Sequence, residues 1–189
     1  CDDWTEVENV TINTPGVEEL NPEQYAKYLQ NLVTYKNSDH KVVYAWFDNS
    51  VKTPSSRGQH ISDAPDSLDV ISMMYPAELA EFELADMKTV RAKGTKVVYT
   101  ISFDKIQKEY AAKVKEGTES GTFDAYLSAE MMKQIGYADA FDGIIAEYKG
   151  TNPNYMSAAD KAEAKKLQDA FFGVLTTWKS GNTDKWLTF

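Results

Sequence analysis

Short apolar runs alternate with helical spacings along most of this chain. Residues 41–47 (Lys-Val-Val-Tyr-Ala-Trp-Phe) are β-branched and aromatic and stop at Asp48-Asn49, which predicts a strand. Residues 68–74, 95–102 and 141–148 have the same character, and 185–189 looks like the start of a fifth strand. Between them the apolar residues recur every three or four positions. Asn21-Pro22-Glu23-Gln24 has the form of a helix start, with Asn as N-cap and Pro in the first position. Tyr25, Tyr28, Leu29 and Leu32 give the helix one apolar face. Ala80, Leu84, Met87 and Val90 mark a second helix closed by Gly94. Ile106, Tyr110 and Val114 mark a third, and Leu127, Met131 and Ile135 a fourth. Ser157 with Asp160 caps a long last helix carrying Leu167, Ala170, Phe171, Val174 and Trp178. Residues 50–66, rich in Ser and Pro, are expected to be a long loop.

Strand-loop-helix alternation of this kind implies parallel strands joined by crossover helices, an α/β fold. Nearly continuous apolar strands imply a sheet covered on both faces. From 41 to 142 the strands recur about every 34 residues, the size of a βαβ unit. A (β/α) barrel or an open doubly wound sheet would satisfy this. No glycine-rich phosphate fingerprint follows any strand, which lowers the nucleotide-binding reading. The 189 residues hold four units and the start of a fifth, whereas a complete eight-unit barrel needs about 250 residues. The expectation is therefore a partial barrel of four to five βα units. It would be either a piece of a longer chain or a half-barrel that covers its open edge by pairing or dimerising.

Charge narrows the partners. Twenty Lys and Arg against 29 Asp and Glu give a net charge of −9, which argues against nucleic acid. There is no basic amphipathic stretch for anionic lipid and no apolar run of membrane-spanning length. The one cysteine is residue 1, so no internal disulfide or multi-cysteine metal site can form. Cys1-Asp2-Asp3 is similar to what remains of a bacterial lipoprotein after signal cleavage. That resemblance implies a lipid on Cys1 and an outer-membrane location in the cell envelope, with a chance placement or a boundary as the plain alternative. Residues 1–20 are polar, with Pro15-Gly16, and are expected to be an extended tether to a domain over 21–189. Asn9-Val10-Thr11 is a formal glycosylation sequon, which a bacterial lipoprotein would not use.

Parallel α/β folds bind ligands at the C-terminal ends of their strands. That rule selects Phe47, Asp48 and Asn49, then Met74 and Tyr75, then Ser102, Phe103 and Asp104, and finally Glu147, Tyr148, Lys149 and Asn152. Aromatic rings mixed with amides and carboxylates suit a sugar, whose C–H faces stack on rings while its hydroxyls hydrogen-bond. For each aromatic the alternative is core packing, and Asp104 could equally serve as a helix N-cap. His40 and His60 are 20 residues apart and make no metal motif. His60 could overhang the strand ends or be a solvated loop residue. No G-x-S-x-G elbow is present, so nucleophilic serine chemistry has no support. No cofactor and no metal are expected.

Phe141-Asp142-Gly143-Ile144-Ile145-Ala146-Glu147-Tyr148-Lys149 resembles the fourth strand of glycoside hydrolase family 18, the chitinases and endo-β-N-acetylglucosaminidases. The family pattern there is D-G-hydrophobic-D-hydrophobic-D-aromatic-E. Tyr44–Asn49, Pro65–Ile71 and Gly94–Ile101 look like the family's first three strands, so the likeness runs over about residues 22–180. The closest flavour is the endoglycosidase-like branch found in Bacteroidetes lipoproteins.

The resemblance implies a substrate-assisted route. The final Glu protonates the leaving oxygen, and the Asp two residues before it orients the substrate's N-acetyl nucleophile, an exception to two-carboxylate hydrolysis. Asp142 and Gly143 match the start of the pattern. Ile145 and Glu147 occupy the places of the two inner Asp residues, and Lys149 that of the acid. Residues 145, 147 and 149 share strand parity. The mouth would then carry a carboxylate beside an ammonium, and a salt bridge between them is expected. A lysine does not replace the acid, because its ordinary pKa is about 10.4 and a carboxylate alongside favours the charged form. The leading expectation is thus a glycan-binding, non-catalytic lipoprotein. Its ligand, an N-acetylglucosamine-containing oligosaccharide, would meet Asp48, Asn49, Tyr75, Phe103, Glu147, Tyr148 and Lys149. The alternatives are an active hydrolase using Glu147 as its catalytic residue, and an α/β interaction scaffold with no sugar ligand.

Overall fold

The computed structural model describes residues 16–189; Cys1, the Asn9 sequon and residues 1–15 of the expected tether lie outside them. Five strands, β1 (Tyr44–Phe47), β2 (Val70–Met73), β3 (Lys96–Ser102), β4 (Gly143–Glu147) and β5 (Trp186–Thr188), form one sheet. All neighbours are parallel, and their spatial order is their chain order. A doubly wound sheet reverses its strand order at a switch point. This sheet does not, so it is a barrel wall. Its ends, β1 and β5, are not paired to each other, so the wall is an open, partial barrel.

Helices α1 (Val17–Leu20) and α2 (Pro22–Lys36) precede β1. The short α1 departs from the expectation that the chain is extended as far as residue 20. The start of α2 is as expected: Asn21 Oδ1 accepts from Gln24 N at 3.2 Å, with Pro22 in the first turn where its missing N–H costs nothing. The crossovers are α3 (Glu81–Ala92), then α4 (Phe103–Glu116) with α5 (Phe123–Ile135), and finally α6 (Ala158–Gly181). Right-handed crossovers in a sheet of sequential order place these helices on one face. Strand residues of one parity, among them Ile71, Met73, Val97, Tyr99, Ile101, Ile144 and Ala146, form the core with Met87, Ile106, Met131, Phe171 and Leu175 of the helices.

The residues of opposite parity line the inner face. Trp46, Ser72, Val98, Gly143 and Trp186 are in register across all five strands. Gly143 is glycine for a packing reason. A Cβ there would come within 2.6 Å of Trp186 Cβ and run into its carbonyl oxygen.

The motif's Asp142 stands at the opposite end of β4 from the mouth. Its carboxylate accepts from Arg91 Nε and from Val97 N at 2.8 Å, while Arg91 Nη2 donates to Ala140 O. It ties α3, β3 and the entry to β4 together and takes no part in the strand-end chemistry.

Helical periodicity misjudged one face. Ala80 is the N-cap of α3, and Leu84 is 48% exposed. Glu83 and Asp86 are buried in its place, paired with Lys52 and His60. Residues 50–66 contain two single 3₁₀ turns, Arg57–Gln59 and Ile61–Asp63, rather than plain loop. His60 does not overhang the strand ends: its Nδ1 lies 2.9 Å from Asp86 Oδ2 and its ring meets Phe82 edge-on.

Candidate functional site

The C-terminal ends of β1 to β4 surround a hollow of about 210 Å³ on the inner face. It is lined by Trp46, Ser72, Met73, Met74, Thr100, Ser102, Lys105 and Glu147. Strand parity builds it. Thr100 pairs with Ile145 and Ser102 with Glu147, so hydroxyls from β3 stand beside the carboxylate of β4. Ser72 Oγ and Thr100 Oγ1 are 3.2 Å apart. Trp46, 64% exposed, presents an indole at the β1 side. Lys105 reaches in from the first turn of α4, whose N-cap is Ser102, the Oγ accepting from Lys105 N at 3.3 Å. The hollow thus offers one large apolar plane, three hydroxyls, one ammonium and one carboxylate.

Lys149 stands just past β4, and its Nζ is 3.4 Å from Glu147 Oε1, the ion pair that parity predicts. Its backbone N–H donates to Asp104 Oδ2 at 2.8 Å. Asp104 is therefore a tether for the β4–α6 loop and not a helix cap. Gly150, with φ +62°, turns the chain so closely over Tyr148 that a Cβ would meet the ring at 2.7 Å.

The other candidates are placed elsewhere. Asn49 is 3% exposed and serves as a clamp: its Nδ2 donates to Tyr75 O and Glu83 Oε1, and its Oδ1 accepts from Tyr75 N. Asp48 caps its own turn through Ser50, and those hydrogen bonds hold its carboxyl below the usual range. Phe103, 4% exposed, packs against Phe123, Tyr148 and Phe171 on the helix side, so it cannot serve as a sugar platform. Tyr148 has the opposite parity to Glu147 and packs with Phe171 and Phe172; burial pushes its hydroxyl pKa up. Tyr75 is half exposed, its backbone held by Asn49. Asn152 caps the turn at Pro153. The strand-end rule did not select Trp46 or Lys105. Inner-face parity, counted back from Glu147 through Ser102 and Thr100, would have pointed to Trp46.

Among the described residues no group of three or more His, Cys, Asp or Glu could hold a metal ion. No described helix is long and apolar enough to cross a membrane.

Comparison with known proteins gives the scaffold its place. The family model described as glycoside hydrolase family 18, BT1044-like, matches residues 5–189. A selenomethionine, glutamate-to-glutamine form of BT1044 superposes with a TM-score of 0.60 at 16% identity, over 92% of this chain and 57% of that one. The apo endo-β-N-acetylglucosaminidase of Cordyceps militaris superposes with a TM-score of 0.54 at 20% identity, over 84% of this chain and 52% of that one. The chain thus spans a little over half the length of these solved structures. No curated protein sequence matches it. With all but its first four residues matched by the family model, the chain belongs to glycoside hydrolase family 18, in its BT1044-like branch.

Proposed function

We propose that this chain binds N-acetylglucosamine-containing glycans without hydrolysing them, with the sugar seated between Trp46 and Glu147. The observation that carries the reading is Lys149. It occupies the acid's place in the family pattern, and its ammonium lies 3.4 Å from Glu147. A general acid must hold a transferable proton near the operating pH, and an ammonium paired to a carboxylate is poorly suited to that task. Ile145 adds to the argument, because it leaves an apolar side chain where the family has its first inner carboxylate. What remains supports binding: an exposed indole suits the C–H face of a pyranose, and hydroxyls and charges close by suit its polar rim.

The test is calorimetric titration of chitin oligosaccharides and N-glycans, with mass spectrometry of the same mixtures for released sugar. Binding without release, weakened in Trp46→Ala, is the expected result. Release that disappears in Glu147→Gln would establish a hydrolase using Glu147 instead. Failure of every glycan to bind would leave an interaction scaffold.

A further inference from the structure

Two adjoining hollows of opposite charge share the loop that leaves β4 and the start of α6, with Tyr148, Gly150, Thr151, Met156 and Ala164 in both linings. One, of about 330 Å³, has Asp104, Asp160 and Glu163 as its charged lining. The other, of about 420 Å³, has Lys149, Lys161 and Lys165 and no carboxylate. On a chain of net charge −9, three ammonium groups around one concavity run against the overall field.

We infer that the lysine-lined hollow is a subsite for an anionic sugar, a carboxylated or sulfated residue of the bound glycan. This rests on the reading that a glycan occupies the neighbouring mouth. Lys149 joins the two sites, since it pairs with Glu147 at the mouth and also lines this hollow. Its position is fixed by the backbone, because Asp104 holds the Lys149 N–H and Gly150 makes the tight turn over Tyr148. The open volume therefore belongs to a held loop, and it falls within the size range of small-ligand sites, about 300–1,000 Å³. Two of the three cations already pair with a carboxylate that does not line this hollow, Lys149 with Glu147 and Lys165 with Asp169. Lys161 forms no ion pair among the described residues. An incoming carboxylate or sulfate would complete that set. Lys161 and Lys165 stand one turn apart on α6 and both line this hollow.

Three probes separate the outcomes: N-acetylneuraminic acid, N-acetylglucosamine 6-sulfate and uncharged N-acetylglucosamine, each titrated into the labelled protein and followed by amide NMR. The expected result is saturable shifts at Gly150, Thr151 and Ala164 with at least one acidic sugar and none there with the uncharged one. The affinity should fall several-fold when salt rises from about 0.02 to about 0.2 M, because exposed charges are screened over about 10 Å at 0.1 M. In Lys161→Gln/Lys165→Gln it should fall by roughly 2- to 5-fold per lysine. The response to the carboxylated and to the sulfated sugar tells which anion the hollow prefers. Equal shifts with the uncharged sugar, no shift with either acid, or an unchanged response in the double variant would each overturn the inference. The Trp46 indole N–H reports the mouth separately. Acid-dependent shifts at Gly150 with a silent Trp46 toward every chitin oligosaccharide would keep the anion site and sink the reading of the mouth.

Discussion

Lys149 Nζ lies 3.4 Å from Glu147 Oε1, Glu147 being the last residue of β4 and Lys149 the second beyond it. Both side chains are substantially solvated, so the pair contributes little to stability, about 0–1 kcal/mol. On the proposed reading its consequence is chemical, for it places an ammonium where the family pattern has a proton donor. Restoring that carboxylate alone does not restore the rest of the pattern, because Ile145 still supplies no charge and Glu147 stands one methylene longer than the family's Asp. Lys149→Glu is therefore expected to release no sugar from an N-glycan panel and to leave the melting temperature within a few degrees of the parent. Mass spectrometry of the incubation and a thermal melt check both.

Glu83 is 2% exposed, and its two oxygens collect Asn49 Nδ2, Lys52 Nζ and the Ala80 N–H at 2.6–3.0 Å. Removing the carboxylate leaves one of the two N–H groups of the buried Asn49 amide and the Ala80 backbone N–H without partners. Glu83→Ala is expected to cost about 3 kcal/mol in urea denaturation. Asn49→Ala should lose less, and both should loosen the loops after β1 and β2, read as faster amide exchange at Tyr75.

Gly143 faces Trp186 with no room for a methyl group. Gly143→Ala is expected to lose about 1–3 kcal/mol by forcing β5 away from β4. Protection of the Trp186 amide, which donates to Asp142 O at 2.8 Å, should fall first. An unchanged exchange rate there would contradict the assignment.

His40 gives a pH dependence whose sign is fixed. Its Nε2 lies 2.8 Å from Asp69 Oδ1 and its Nδ1 2.8 Å from Ser38 O, so both ring nitrogens face acceptors. The Asp69 hydrogen bond, then that of Ser38, raises its pKa above the ordinary value of 6.5. The stabilisation is complete below the unfolded-state pKa, near 6.5, and is lost as pH rises through the higher folded-state value. The melting temperature of the parent should therefore exceed that of His40→Gln by most at mildly acid pH, with the gap closing above neutrality. A gap that widens toward pH 8 would refute this.

Much of the scaffold is legible in the sequence because its causes are local. Asn21, Ser157 and Pro22 announce helix starts by chemistry that acts within one turn, and the structure places caps there. The apolar runs give the five strands, with β1 pairing from Tyr44 instead of residue 41. α3 forms with Met87 and Val90 buried as its period predicts, but Leu84 is exposed and Glu83 and Asp86 are buried through partners 31 and 26 residues away, Lys52 and His60, which a helical period cannot register.

The sequence by itself determined the repeating strand-helix order and the family likeness, since each depends on residue identity and short spacing. Only the tertiary structure decided which strand parity faces the helices. Runs such as Val70-Ile71-Ser72-Met73 are buried on both parities, so period-two patterning carries no sign there. That one choice sends Phe103 and Tyr148 into the helix layer and leaves Trp46 and Glu147 lining the same hollow. It makes Asn49 a loop clamp, because a buried amide takes the nearest buried partners that satisfy it, and those come from distant segments of the chain.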